Sequence, residues 1–288
     1  MANLAITTVC NQHCAYCFTV DHLGDDLRSD GGSGEQTGAQ FLSMDDFASR
    51  LDFLHRSGME QVRLLGGEPT LHPQFANLIE IVRIKGMQVV IFTNGLVPES
   101  ALDCLASLPP DQCTVMVNVN QPNGTDSEGP HERRLDTARR LGQRALLGFN
   151  IYQPGFQLDF LIALIAEAGC RPAIRLGMAH PCLSGDNQYV HPNQYRAIAL
   201  KIVRFARIAA NSGVSLDFDC DFVRCMFSDA ELDTLRAGGT KVGWRCNPIL
   251  DIDLNGDVIH CFPLSRLMKL PLASDIDAAA LREAFEVR

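Results

Sequence analysis

Along the first 180 residues, short apolar runs alternate with longer stretches in which apolar residues return every three or four positions. The runs LAITT (4–8), QVRLL (61–65), QVVIFT (88–93), TVMVNVN (114–120), LLGFNIY (146–152) and AIRLGM (173–178) have the length and composition of buried strands. The stretches near 44–57, 73–85, 98–106, 131–143 and 156–168 carry helical periodicity. Ser43, followed by acidic residues, is a natural N-cap for the first of them. Six strands separated by helices predict an α/β protein with a parallel sheet of βαβ units. Six units are fewer than the eight that close a full barrel, so a partial barrel and a doubly wound sheet both fit the periodicity.

Two segments break the rhythm. Residues 22–40, HLGDDLRSDGGSGEQTGAQ, are polar and glycine-rich and predict a loop. From about residue 190 the alternation gives way to a long helix near 192–212, then VSLDFDCDFVRCMF and CNPILDIDLNGDVIHCF. Asn255-Gly256, between alternating apolar runs, predicts a two-residue type I′ hairpin turn. The expected division is a core at 1–213 and a small α+β domain at 214–288.

Charge narrows the functional classes. Twenty-five basic against 34 acidic residues give a formal charge of -9, which disfavours nucleic acid and anionic membranes as partners. The most apolar segment, FLIALIA (160–166), is short and flanked by Asp159 and Glu167, so no membrane span is expected. The opening MANLAITTVC lacks a signal-peptide layout, and a cytoplasmic protein is expected. It leads directly into the first strand, so no preceding peptide-recognition domain is expected. In the cytoplasm eleven cysteines point to metal or catalysis before disulfides.

Three of those cysteines, Cys10, Cys14 and Cys17, stand in CNQHCAYCF directly after the first strand, at the edge where parallel sheets place active sites. Three thiolates leave one coordination position open for a reacting ligand. An open zinc site and an iron–sulfur cube both suit three thiols in so short a loop.

CNQHCAYC resembles the CxxxCxxC signature of the radical S-adenosylmethionine (SAM) enzymes. LLGGEP (64–69) is similar to that family's GGEP motif, and FTNG (92–95) to its TNG motif. The resemblance runs strand by strand over roughly residues 3–180. It implies a partial (β/α)6 TIM-type barrel with a [4Fe–4S] cluster on Cys10, Cys14 and Cys17, whose fourth iron chelates SAM. It implies cofactor contacts from Gly66, Gly67, Glu68 and Pro69 at the methionine end, Thr93 and Asn94 near the ribose, and Tyr16 near adenine. The glycines would admit close backbone approach. Asn118 and Asn120 end the fourth strand, where relatives carry Ser and Asp, and Arg175 fits a polar position on the sixth; all three are further candidates for SAM contact.

The implied activity is reductive cleavage of SAM to a 5′-deoxyadenosyl radical, which abstracts hydrogen from a peptide or small-molecule substrate. The electron would come from a flavodoxin- or ferredoxin-type donor. Cys182, after the sixth strand, is a candidate catalytic hydrogen-atom donor, and His180 and His191 flank the expected substrate mouth. Cys104, Cys113 and Cys170 fall in helix and strand patterns and are expected in the core.

Farther along, Cys246 and Cys261 bracket a C-x9-G-x4-C pattern resembling the opening of SPASM and twitch domains. With Cys220 and Cys225 it implies one auxiliary [4Fe–4S] cluster, supporting a net oxidation or C–H modification. Residues 262–288 lack the further cysteines of a full SPASM domain. A two-residue turn would set Cys261 opposite Leu250, so Cys246 reaches it only if the chain bends at Asn247-Pro248. The rival readings are a non-catalytic iron–sulfur electron carrier, which needs neither GGEP nor TNG, and a zinc-stabilised binding protein.

Overall fold

All six expected strands form one parallel sheet in the computed structural model, which describes residues 1–17, 40–120, 128–182, 187–219, 222–244, 249–259, 269–272 and 277–286. They are β1 (Ala2–Ala5), β2 (Gln61–Leu65), β3 (Gln88–Thr93), β4 (Cys113–Asn118), β5 (Ala145–Ile151) and β6 (Ala173–Met178). Between them run α1 (Met44–Arg56), α2 (Phe75–Ile84), α3 (Glu99–Ser107), α4 (Glu128–Leu141) and α5 (Asp159–Ala168), followed by α6 (Tyr195–Asn211). Ser43 caps α1 as expected, its hydroxyl accepting from Asp46 N at 3.1 Å. No helix among the described residues is long and apolar enough to cross a membrane.

The sheet continues past the six strands on both edges. Strand β7 (Ser215–Phe218), inside the segment expected as a small domain, pairs in parallel with β6. At the other edge β8 (Leu250–Ile252) pairs in parallel with β1, and β9 (Asp257–Ile259) and β10 (Lys269–Pro271) follow antiparallel. Helices α7 (Asp229–Ala237) and α8 (Ala278–Glu286) complete the described elements.

Strand alternation divides the sheet into two chemically distinct faces. Leu4, Val62, Leu64, Ile91, Val117 and Leu147 point toward the helices and join Phe47, Leu51, Leu78, Leu105 and Leu141 in one apolar core. The opposite face carries Asn3, Arg63, Phe92, Asn118, Asn150 and Arg175. It curls in on itself: Arg63 on β2 lies within electrostatic reach of Asp219, just past β7. Five strand spacings in a flat sheet would separate them by about 24 Å. The architecture is therefore the open, partial barrel, with a polar inner face.

The hairpin differs from its expected form. Ile252 faces Val258 and Asp251 faces Ile259, a register one residue away from that of a two-residue turn. Leu254, Asn255 and Gly256 make a three-residue loop, closed by Gly256 N to Asp253 O at 3.1 Å, with Gly256 at φ 86°. The cause is Asp253, whose carboxylate accepts from both Asn255 N and Asp257 N at 2.9 Å.

Helix α1 fastens this loop. Arg50, only 7% exposed, donates to Asp253 O at 2.6 Å and Leu254 O at 2.8 Å. Truncation would leave both carbonyls without their donor, so Arg50→Ala should cost about 2–4 kcal/mol. Urea denaturation of the two proteins measures this, and Arg50→Lys should recover part of the loss. A cost under about 0.5 kcal/mol, ordinary for surface changes, would contradict the latch.

Candidate active site

The loop that carries the three thiols is held by the turn after β2. Gly67 N donates to Thr7 O at 2.9 Å and Glu68 N to Val9 O at 2.7 Å. A Cβ added at Gly66 would lie 2.3 Å from Thr7 O, and one at Gly67 would lie 2.3 Å from Val9 O. Those are backbone atoms that cannot rotate aside, so both positions require glycine. The close approach that these glycines permit is to the cysteine loop itself, a partner that the sequence motif did not reveal.

Glu68 is fully buried. Its Oε1 accepts from Thr70 Oγ1 at 2.6 Å, Thr93 Oγ1 at 2.9 Å and Thr70 N at 3.2 Å, and its Oε2 from Asn94 N at 2.8 Å. Burial raises its pKa, and these donors oppose the rise. The carboxylate thereby joins the end of β2 to the end of β3. Pro69 opens the short 3-10 turn Pro69–Leu71 that presents Thr70. Asn94 continues the chain of contacts, donating from Nδ2 to Asn11 Oδ1 at 2.7 Å and toward Cys10 Sγ at 3.7 Å. Asn11 in turn donates to Leu96 O at 2.9 Å. Sequence reasoning passed over Asn11, which nothing but its place beside Cys10 distinguishes.

Cys10, Cys14 and Cys17 are partly exposed. Burial drives the Cys10 thiol up to about 11, and the nearby Glu68 and Cys17 add to the rise. Burial likewise drives Cys14 up to about 12, helped by Cys17 and Cys10. The thiols are thus near enough to repel one another as thiolates. Among the described residues, however, no three Cys, His, Asp or Glu side chains converge on one ion. Tetrahedral zinc would need sulfurs about 3.8 Å apart at its usual bond length. An iron–sulfur cube distributes its ligands over separate corner irons, and three neighbouring thiols suit it.

Tyr16 closes one side of this loop. Its ring stacks on Tyr152 with centroids 4.8 Å apart, and its hydroxyl accepts from Asn118 Nδ2 at 2.8 Å. Burial raises the phenol's pKa, with Cys14 adding to the shift. The amide of Asn120 is bound to β5, donating to Asn150 O at 2.7 Å and accepting from Asn150 N at 2.9 Å. Arg175 pairs with Asp219 and lies over the Phe92 ring, 5.1 Å from its centroid.

The segment after β6 rests on the same loop. Gln188 N donates to Ala15 O at 2.7 Å, and Cys182 Sγ lies 3.7 Å from Cys17 O. Burial lowers the pKa of His180, whereas His191 is exposed and its backbone N–H donates to Gln194 Oε1. Cys113 and Cys170 are buried in the core as expected, with Cys104 packed against it. Cys225 is exposed, and Cys220, Cys246 and Cys261 lie outside the described residues.

Comparisons with known proteins agree with this geometry. The family model described as "Radical SAM superfamily" matches residues 4–152, just over half of the chain. A GTP 3′,8-cyclase of Synechocystis sp. is 29% identical over 151 residues, covering 51% of this chain and 42% of the cyclase. The GTP 3′,8-cyclase of Cronobacter sakazakii is 36% identical over 94 residues, 32% of this chain and 26% of that enzyme. The chain therefore matches less than half the length of these relatives. Streptococcus suis SuiB bound to precursor peptide SuiA superposes with a TM-score of 0.65 at 16% identity, over 96% of this chain and 63% of SuiB. Native anSMEcpe with bound AdoMet and Cp18Cys peptide gives 0.68 at 17% identity, over 98% and 79%. At such identities these likenesses speak for the fold, and it is the family match that decides descent: the chain belongs to the radical SAM superfamily, enzymes that use a [4Fe–4S] cluster to cleave SAM reductively.

Proposed function

We propose that Cys10, Cys14 and Cys17 hold the cluster, and that the inner face of the barrel beside them receives SAM and the substrate. The observation that carries this is the fastening of the thiol loop by Gly67 and Glu68 backbone donors, which holds the three neighbouring thiols beside the turn after β2. When bound, the cluster and SAM supply the 5′-deoxyadenosyl radical. The protein's own residues position and enclose. Glu68 fixes Thr93 and Asn94 at the end of β3, and Gly66, Gly67 and Pro69 set the path of the turn beside the thiols. Tyr16, held by Asn118 and stacked on Tyr152, forms an aromatic wall that excludes water from the reacting centre. Asn120 keeps β4 and β5 in register at the same edge.

The substrate in this reading is a peptide or small molecule that undergoes net oxidation or C–H modification. The named relatives support both classes, since the cyclases act on GTP by name and SuiB and anSMEcpe were solved with peptides. A flavodoxin- or ferredoxin-type protein is the proposed electron donor. Cys182, against the carbonyl of Cys17, is the proposed hydrogen-atom donor. Residues 214–288 are proposed to form an auxiliary unit with a second [4Fe–4S] cluster on Cys220, Cys225, Cys246 and Cys261. The C-x9-G-x4-C spacing supports it.

Anaerobically reconstituted protein should carry about eight iron per chain and release 5′-deoxyadenosine from SAM with dithionite, even without substrate. Replacing Cys10, Cys14 and Cys17 together by Ala should leave about four iron and abolish that product. An unchanged iron count would remove the ligand assignment.

Cys261→Ala tests the second cluster separately. It should lower iron by up to about four per chain and leave residues 214–265 open to protease, because cluster assembly and local folding are coupled. SAM cleavage should persist. Full iron with full substrate turnover would sink the auxiliary cluster.

A further inference from the structure

Among the described residues Arg63 forms no ion pair, although two carboxylates lie within electrostatic reach. It projects from the middle of β2 onto the inner face, where its Nε is buried with no hydrogen-bond partner among the described residues. Its guanidinium lies over the Phe92 ring, 6.0 Å from the centroid, and shares that ring with Arg175 at 5.1 Å. The two neighbouring carboxylates are engaged elsewhere. Asp219 pairs with Arg175, and Asp251 accepts from Asn3 Nδ2. Both act on Arg63 only through space, while burial and the charge of Arg175 work against its ionised form.

A cation–π contact does not replace the hydration that a guanidinium loses on burial. An acceptor-rich group arriving from outside would. Guanidinium forks match carboxylate and phosphate oxygens in pairs, so two of them around one ring form a receptor of definite chemical preference. The location suits a substrate. Arg63 stands three residues before Gly66 on β2, and Phe92 immediately precedes the Thr93-Asn94 pair that holds Glu68.

We infer that Arg63 and Arg175 bind an anionic group of the substrate, a carboxylate or a phosphate, on the inner face of the barrel. This rests on the reading of that face as the substrate chamber. Asp219 acts as an internal competitor, holding Arg175 until the substrate's anion takes its place. Anchoring at a site remote from the reacting carbon would orient the C–H bond toward the radical.

The test is calorimetric titration of anaerobic, reconstituted, SAM-saturated enzyme at constant ionic strength. The probes are inorganic pyrophosphate for phosphates and malonate for carboxylates, with chloride as control. One probe class should bind with one-to-one stoichiometry, and which class it is names the substrate's anion. Arg63→Gln should weaken that binding by about tenfold or more, equivalent to one lost charge-assisted bond. Arg63→Lys should restore part of it, because a point charge attracts without the fork. Asp219→Asn should tighten it several-fold, a gain that misfolding cannot imitate.

Three results would overturn the inference: no saturable binding of either probe, unchanged affinity in Arg63→Gln, or weaker affinity in Asp219→Asn. A loss of SAM affinity in Arg63→Gln without any probe binding would assign the receptor to the SAM carboxylate and overturn it too. Release of 5′-deoxyadenosine by the same wild-type preparation is measured alongside. If that release is present and anion binding absent, this inference alone fails; if the release is absent, the functional reading fails.

Discussion

The site depends on one buried carboxylate. Among the described residues no cation pairs with Glu68, and its carboxylate is bound by four donors from Thr70, Thr93 and Asn94. Such an arrangement is stable only when every donor is in place, because an unsatisfied buried carboxylate is costly. The donors are therefore constrained in turn. Thr70 must follow Pro69 into a tight turn, and Asn94 must offer its backbone N–H to Glu68. That leaves its side-chain amide for Asn11 and Cys10. One acidic side chain sets the relation of β2, β3 and the cysteine loop.

The division of labour follows from how the loop is held. Its fastening to the turn after β2 uses backbone groups of Thr7, Val9, Gly67 and Glu68. The raised thiol pKa values of Cys10 and Cys14 fit the same arrangement. Burial disfavours their thiolates, a cost that the positive charge of a bound metal would offset. A free-standing nucleophile would call for the opposite environment.

Most of the barrel was legible because strand and helix periodicities differ and the strand runs are long enough to show theirs. Strands β7 and β8, of four and three residues, are too short for that, so their places on the sheet were not legible. The hairpin register was misjudged by one residue because a side chain decided it: the Asp253 carboxylate takes two loop N–H groups and so enlarges the turn. At the site, the motif residues were legible by resemblance and their partners were not. Asn11 meets Asn94 across 83 residues, and Asn118 meets Tyr16 across 102. Arg63 was hidden for another reason. In QVRLL it reads as the polar half of an alternating strand, normally the solvent side, and only closure of the barrel turns that side inward.

That inversion has a consequence for how such a fold diversifies. In this barrel the apolar alternate positions join the helix-packed core, whereas the inner positions beside them, such as Arg63, Asn118 and Arg175, meet Phe92, Tyr16 and Asp219 on the inner side. An inner residue can therefore be exchanged with little cost to helix packing, while the thiol loop stays fixed by backbone bonds at the strand ends. On the proposed reading, radical generation and substrate choice are separable in the sequence, the first drawing on the turns at the strand ends and the second on inner-face positions of the barrel. The fold itself is shared with structural neighbours at only 16% and 17% identity.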